Sequence, residues 1–123
     1  MKRICCLCTF IFCILNAYAI PVIAFDEYRD TWNSVSYEKL DKRKQNYYTK
    51  LLKYEIEKYP TEYYDAINLQ TVVLVKNLKF SGVFRAAVLD NYKKILFIGI
   101  RADYSDEYIK HIFHPLLSLP HVI

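Results

Sequence analysis

Hydrophobic and polar positions change their rhythm several times along this chain, and each change marks an element. From Ile4 through Phe25 no charge occurs, and Ile4 to Leu15 is an uncharged apolar stretch behind Lys2 and Arg3. Residues 25–34 are mixed and polar, an irregular lead-in. Apolar side chains at Leu40, Tyr47, Tyr48, Leu51, Leu52, Ile56 and Tyr59 then recur at the three-and-four spacing that lines one helix face, with Ser36 placed to cap it and Pro60 to end it. Thr61 opens a further short turn through Tyr63, Tyr64 and Ile67. The pattern next becomes β-like. Val72–Val75 is a β-branched run, Leu78–Leu89 a longer strand bent at Ser81-Gly82, Asp90-Asn91 a turn, and Lys94–Ile100 a third strand. Ser105 caps a second helix with Asp106 and Glu107 in its first turn, where the helix dipole favours negative charge, and Tyr108, Ile109, Ile112 and Phe113 continue it. A proline inside a helix costs about 3 kcal/mol, so Pro115 predicts a break near His114.

These elements predict an α+β fold: one long helix, a three-stranded, mainly antiparallel sheet joined by short connections, and a short C-terminal helix broken by proline. Val72-Val73-Leu74-Val75 and Ile95-Leu96-Phe97-Ile98 do not alternate, so both sheet faces need cover. The long helix covers one. The pattern leaves the other about half covered, which predicts either a truncated domain or a subunit that self-associates through that face.

The N-terminal pattern is that of an export signal, with Ala17 and Ala19 as the small residues a signal peptidase inspects and cleavage after Ala19. A second acceptable cut follows Ala24. The competing reading is an uncleaved membrane anchor, since the uncharged run is long enough to cross a hydrocarbon core of roughly 30 Å; Asn16 and Pro21 interrupt it. The domain reading is therefore a signal peptide at 1–19, a linker at 20–35 and a single small α+β domain at 36–123, exported to the periplasm or beyond. Cys5, Cys6, Cys8 and Cys13 all fall in the signal, which leaves the remainder without a disulfide or a Cys-ligated zinc site. Net charge falls from +4 to +2 once Lys2 and Arg3 are lost. The cluster Lys42, Arg43, Lys44, Lys50 and Lys53 is interleaved with Glu38, Asp41, Glu55 and Glu57, with Glu38/Lys42 and Lys53/Glu57 at i,i+4, which describes a solvated helix face rather than a nucleic-acid surface.

Candidate chemistry is sparse. His111 and His114 lie one turn apart, but two imidazoles do not complete a catalytic zinc site, and His121 lies beyond two prolines. Two glycines, Gly82 and Gly99, exclude phosphate-binding loops of the Walker or Rossmann type. Asp103, Asp106 and Glu107 cluster, and capping and dipole roles account for at least two of them.

The segments Glu57-Lys58-Tyr59-Pro60, Asn68 through Leu78, Phe80-Ser81-Gly82 and Tyr108-Ile109-Lys110-His111-Ile112-Phe113-His114 resemble exported bacterial zinc-binding metallopeptidases, in their N-terminal part only. The resemblance implies a helix, a small sheet and then an active-site helix bearing His-Glu-x-x-His, in which two imidazoles grip Zn²⁺ and the glutamate activates its water. Here His114 falls on a histidine that often precedes the motif, Pro115 on the first ligand and Leu116 on the glutamate. The motif is absent, so no catalytic or metal residue is carried over, and zinc is expected only in a full-length relative. Two functions follow as expectations: a truncated, catalytically inactive metallopeptidase-like exported protein, or a complete non-enzymatic exported module whose tyrosine-rich surface binds a protein or peptide.

Overall fold

A computed structural model of the chain describes residues 20–117, with side chains through Phe113. Its elements in chain order are β1 (Val22–Ala24), β2 (Val35–Glu38), α1 (Lys42–Ile56), α2 (Thr61–Ala66), β3 (Thr71–Phe80), β4 (Val83–Phe84), β5 (Ala87–Asp90), β6 (Ile95–Ile100) and α3 (Asp106–Leu117). Ala17 and Ala19, expected at a signal cleavage site, the four cysteines and His121 lie outside the described residues. No helix among the described residues is long and apolar enough to cross a membrane.

The two apolar runs form the centre of the sheet, and they pair in parallel, from Thr71 opposite Ile95 to Lys76 opposite Ile100. This overturns the expected three-stranded, mainly antiparallel sheet. The sheet has six strands and is mixed, ordered β1-β3-β6-β5, with β2 and β4 pairing the far end of β3. A parallel pair needs a crossover of a dozen or more residues, and here it is supplied by 81–94, the stretch in which Leu78–Leu89 was expected as one bent strand. That stretch is instead three pieces. The end of β3 turns at Ser81-Gly82 into β4, with φ of +51° and +81° at the two turn residues, the left-handed pair of a two-residue hairpin that pairs Phe80 with Val83. After Ala86 the chain enters β5, antiparallel to β6. The bulge expected at Gly82 lies elsewhere, at Asn77, where φ is +51° and the register against β2 shifts between Ser36 and Glu38. Asn77 Nδ2 donates to the Glu38 carboxylate.

The remaining strands come from the lead-in. β1 pairs in parallel with Thr71–Val73 and β2 in antiparallel with Lys76–Phe80, one after the other along the same edge of β3. Ser36 therefore lies in a strand. The first helix is capped by Asp41, whose Oδ1 accepts the Lys44 N–H at 2.8 Å, and it ends at Ile56 rather than at Pro60, which precedes α2. Asn68, at φ +60°, closes α2 by sending its N–H to Asp65 O (3.1 Å) and that of Leu69 to Tyr64 O (2.9 Å). Ser105 caps α3 as expected, accepting from Tyr108 N at 3.1 Å. The expected break at Pro115 does not occur. α3 continues through Pro115 to Leu117, the last described residue, and the proline removes one backbone bond, the one its own N–H would have made to the His111 carbonyl.

Both sheet faces are covered. On one, Leu52 and Ile56 of α1, Tyr64 of α2 and Ile109 and Phe113 of α3 pack on Val72, Leu74, Leu96 and Ile98. On the other, Val73, Val75, Leu78, Ile95 and Phe97 lie beneath Tyr28, Val35 and Tyr37, so the half-open face expected for self-association is not free at these residues. Tyr37 closes that side by donating its hydroxyl to Tyr28 O at 2.6 Å, and burial raises its pKa. The lead-in is held by two buried carboxylates. Asp30 accepts the N–H groups of Ser34 and Val35, both at 3.1 Å. Asp90, at 0% exposure, accepts Thr31 N (2.6 Å), Tyr92 N (3.0 Å), Lys93 N (3.1 Å) and the Thr31 hydroxyl. Burial pushes the Asp90 pKa up, but the hydrogen bonds outweigh it and the net shift is downward.

Two outcomes follow from this packing. A Cβ on Gly99 would lie 2.8 Å from Leu78 Cβ and 3.0 Å from Arg85 O, so Gly99→Ala lowers stability by about 1–3 kcal/mol, read as a lower urea midpoint. Asp90→Asn turns one acceptor into a donor facing donors and costs about 2–3 kcal/mol at neutral pH. Because the folded pKa lies below the unfolded value, this contribution is complete above the ordinary carboxylate pKa and is lost as pH falls through the folded one. Wild-type and variant melting curves therefore converge in acid; a gap that persists there would assign the effect to packing alone.

Candidate functional site

The helix on which the candidate ligands fall is positioned by its apolar side. Ile109 and Phe113 are fully buried against the sheet, which turns Glu107, Tyr108 and His111 outward. His111 is exposed, and His114 lies on α3 with its side chain outside the described set. The acidic trio disperses into separate tasks. Asp103 pairs with Arg101 Nε at 3.4 Å, Asp106 accepts the Tyr47 hydroxyl, and Glu107 meets Lys110 Nζ at 3.6 Å. Among the described residues no group of three or more His, Cys, Asp or Glu stands together for a metal. The surface pairs Glu38/Lys42 and Lys53/Glu57 do not organise α1 either: Glu38 lies on β2, bonded to Asn77.

What the fold does assemble is a polar seam between α1 and α3, centred on Glu55, which the sequence places among the charges of a solvated helix face and which the packing buries instead. Glu55 is 1% exposed. Its carboxylate meets Lys58 Nζ at 3.2 Å and Lys110 Nζ, from α3, at 3.8 Å. The signal was present in the sequence: Glu55 follows Leu51 by four and Leu52 by three, which sets a carboxylate on the apolar stripe with a lysine one turn further on.

Beside this seam the two helices leave a notch of about 340 Å³ lined by Tyr47, Lys50, Leu51, Tyr54 and Lys110. Tyr47 bridges the helices through Asp106 and sets its ring edge-on to Tyr48 at 5.0 Å. The hydrogen bond to Asp106 raises its pKa, so the phenol remains a donor at neutral pH. Lys58 Nζ lies 4.9 Å from the Tyr54 ring centre. A second hollow, of about 480 Å³, opens at the start of α1 among Lys39, Lys42, Lys44 and Lys76, where Gln45 Nε2 is engaged by Leu40 O at 2.9 Å. A separate aromatic group, Trp32 edge-on to Phe80 (6.0 Å) and Tyr92 (6.1 Å), stands at the surface over the Asp90 turn. None of these places combines a nucleophile, a base and an oxyanion donor.

Comparison with protein-family models, with curated proteins and with solved structures finds no match.

Glu55→Ala removes the seam while leaving two partly exposed lysines that water re-solvates, so thermal unfolding should show a loss of about 1–2 kcal/mol. An unchanged midpoint would mean that the helices are held by their apolar contacts alone.

Proposed function

We propose that this is an exported metallopeptidase-like protein that keeps the first elements of that scaffold without its catalytic machinery. The observation that carries this reading is the course of α3. It follows the sheet, as the resemblance implies for an active-site helix, and it runs through Pro115 and Leu116, the positions of the first zinc ligand and the catalytic glutamate. Proline offers no lone pair to a metal, and leucine no acceptor for a proton of bound water. At these two positions the chain supplies neither a metal ligand nor a general base for a metal-bound water.

A second reading, a non-enzymatic exported binding module, draws support from the cover on both sheet faces and from the tyrosines on the α1–α3 surface. The two readings agree on the absence of hydrolysis and differ in ancestry.

After incubation with zinc and dialysis, the purified full chain should retain far less than one zinc per molecule by elemental analysis, and it should not cleave a fluorogenic peptide library. Stoichiometric zinc, or cleavage abolished by a chelator, would overturn the proposal.

A further inference from the structure

We propose that the notch between α1 and α3 is a docking site for an acidic segment of a protein partner, one that inserts an apolar side chain between Tyr47 and Tyr54. This gives the binding-module reading a partner chemistry and does not depend on metallopeptidase ancestry.

Shape comes first. Leu51 forms an apolar floor, and the rings of Tyr47 and Tyr54 stand over it at 51% and 67% exposure. Large rings held this far into solvent are not serving the core. Tyrosine is enriched at interface hot spots, because it offers a wide apolar face, a polar tip and little side-chain entropy to lose. The walls are already fixed: Tyr47 by Asp106 and Tyr48, and Lys110 by Glu55 and Glu107. A preformed site spends little of its binding energy on ordering itself.

Charge selects the occupant. Lys50 and Lys110 are the charged residues lining the notch. α3 sets Asp106, bonded to Tyr47, and Glu107, paired with Lys110, beside it. These are outnumbered on the α1 side, where from Asp41 to Lys58 the chain exposes six basic residues against two exposed carboxylates, Asp41 and Glu57. The third acid of this stretch, Glu55, is buried in its ion pairs. The surface therefore attracts acidic partners and repels basic ones. An anionic membrane meets the charge requirement but not the shape, since membrane-bound helices insert a continuous convex apolar face, whereas here the apolar surface is recessed between two lysines.

The test uses the full chain and a fluorescein-labelled helical peptide with leucine along one face and glutamate on the other, followed by fluorescence polarisation. A peptide with lysine in place of glutamate serves as the control, and vesicles of mixed phosphatidylcholine and phosphatidylglycerol as the competing surface. The acidic peptide should bind about tenfold or more tightly than the basic one, and Lys50→Glu and Tyr54→Ala should each weaken it about tenfold. Both replaced residues are exposed, and circular dichroism melts superimposable on wild type establish that the variants are folded. Equal binding of the two peptides, no binding of either, or variants that bind as wild type would overturn the proposal. So would binding to the vesicles in the absence of peptide binding, which would assign the surface to lipid. The zinc and hydrolysis measurements are separate readouts, so failure here leaves the metallopeptidase-like reading where it stands.

Discussion

The parallel pairing of β3 with β6 is the constraint on which the rest of the molecule depends. Val72 to Val75 and Ile95 to Ile98 are all at most 4% exposed, and burying such side chains contributes roughly 1.5–3 kcal/mol each. No polar interaction in the fold approaches that sum. Because consecutive side chains point to opposite faces, two buried central strands oblige the chain to cover both sides of the sheet. The helices suffice for one side. The other is closed by Tyr28 of the lead-in and by Val35 and Tyr37 of β2, and the irregular chain leading into β2 has backbone groups that need partners. Asp30 and Asp90 meet that need, each accepting backbone N–H groups where no ladder is available. The buried carboxylates are therefore a consequence of the two-sided sheet.

How much of this could be seen in the residues alone follows from the range over which each signal acts. The two-faced apolar runs and the cap at Ser105 are local patterns, and they mark the central strands and the start of α3 correctly. Pairing direction is not local. Val72–Val75 and Ile95–Ile98 look the same whether their partners run parallel or antiparallel, and the decision rests on whether 81–94 is one strand or a crossover. Ser81 and Gly82, both left-handed, turn the chain there; the Ser-Gly pair marks a bend in the sequence, but not that the bend is a full hairpin turn. The three-residue β1 and two-residue β4 are too short to display any period. Ser36, expected to cap the first helix, is taken up by β2 in its pairing with β3, and Asp41 caps the helix in its place.

The site was less legible than the fold. Histidine and acidic clusters in a sequence draw attention because they are chemically capable, yet α3 turns His111 outward and gives Asp103, Asp106 and Glu107 three different partners. Glu55 illustrates the opposite case. Its charge among neighbouring lysines reads as part of a solvated helix face, yet it lies on the apolar stripe, and its partner Lys110 lies 55 residues away on another helix. Only the packing of both helices on the same sheet face brings them together.

That shared face also explains why the notch lies where it does. α1 and α3 pack their inner side chains on the same sheet face and also meet each other through Glu55–Lys110 and Tyr47–Asp106. Where the outer side chains fall short of filling the space between them, a recess remains, and Leu51 is left at its floor. The side chains that border it are long and polar-tipped, lysine and tyrosine, which cover apolar surface while keeping their ends in water. A pair of helices held this way cannot close the recess by moving together, because either shift would open the core beneath Leu52 and Ile109, both at 0% exposure. The recess therefore follows from the way the two helices pack on the sheet, and the lysines at its rim, Lys50 of α1 and Lys110 of α3, lie on the outer sides of helices whose inner sides build the core.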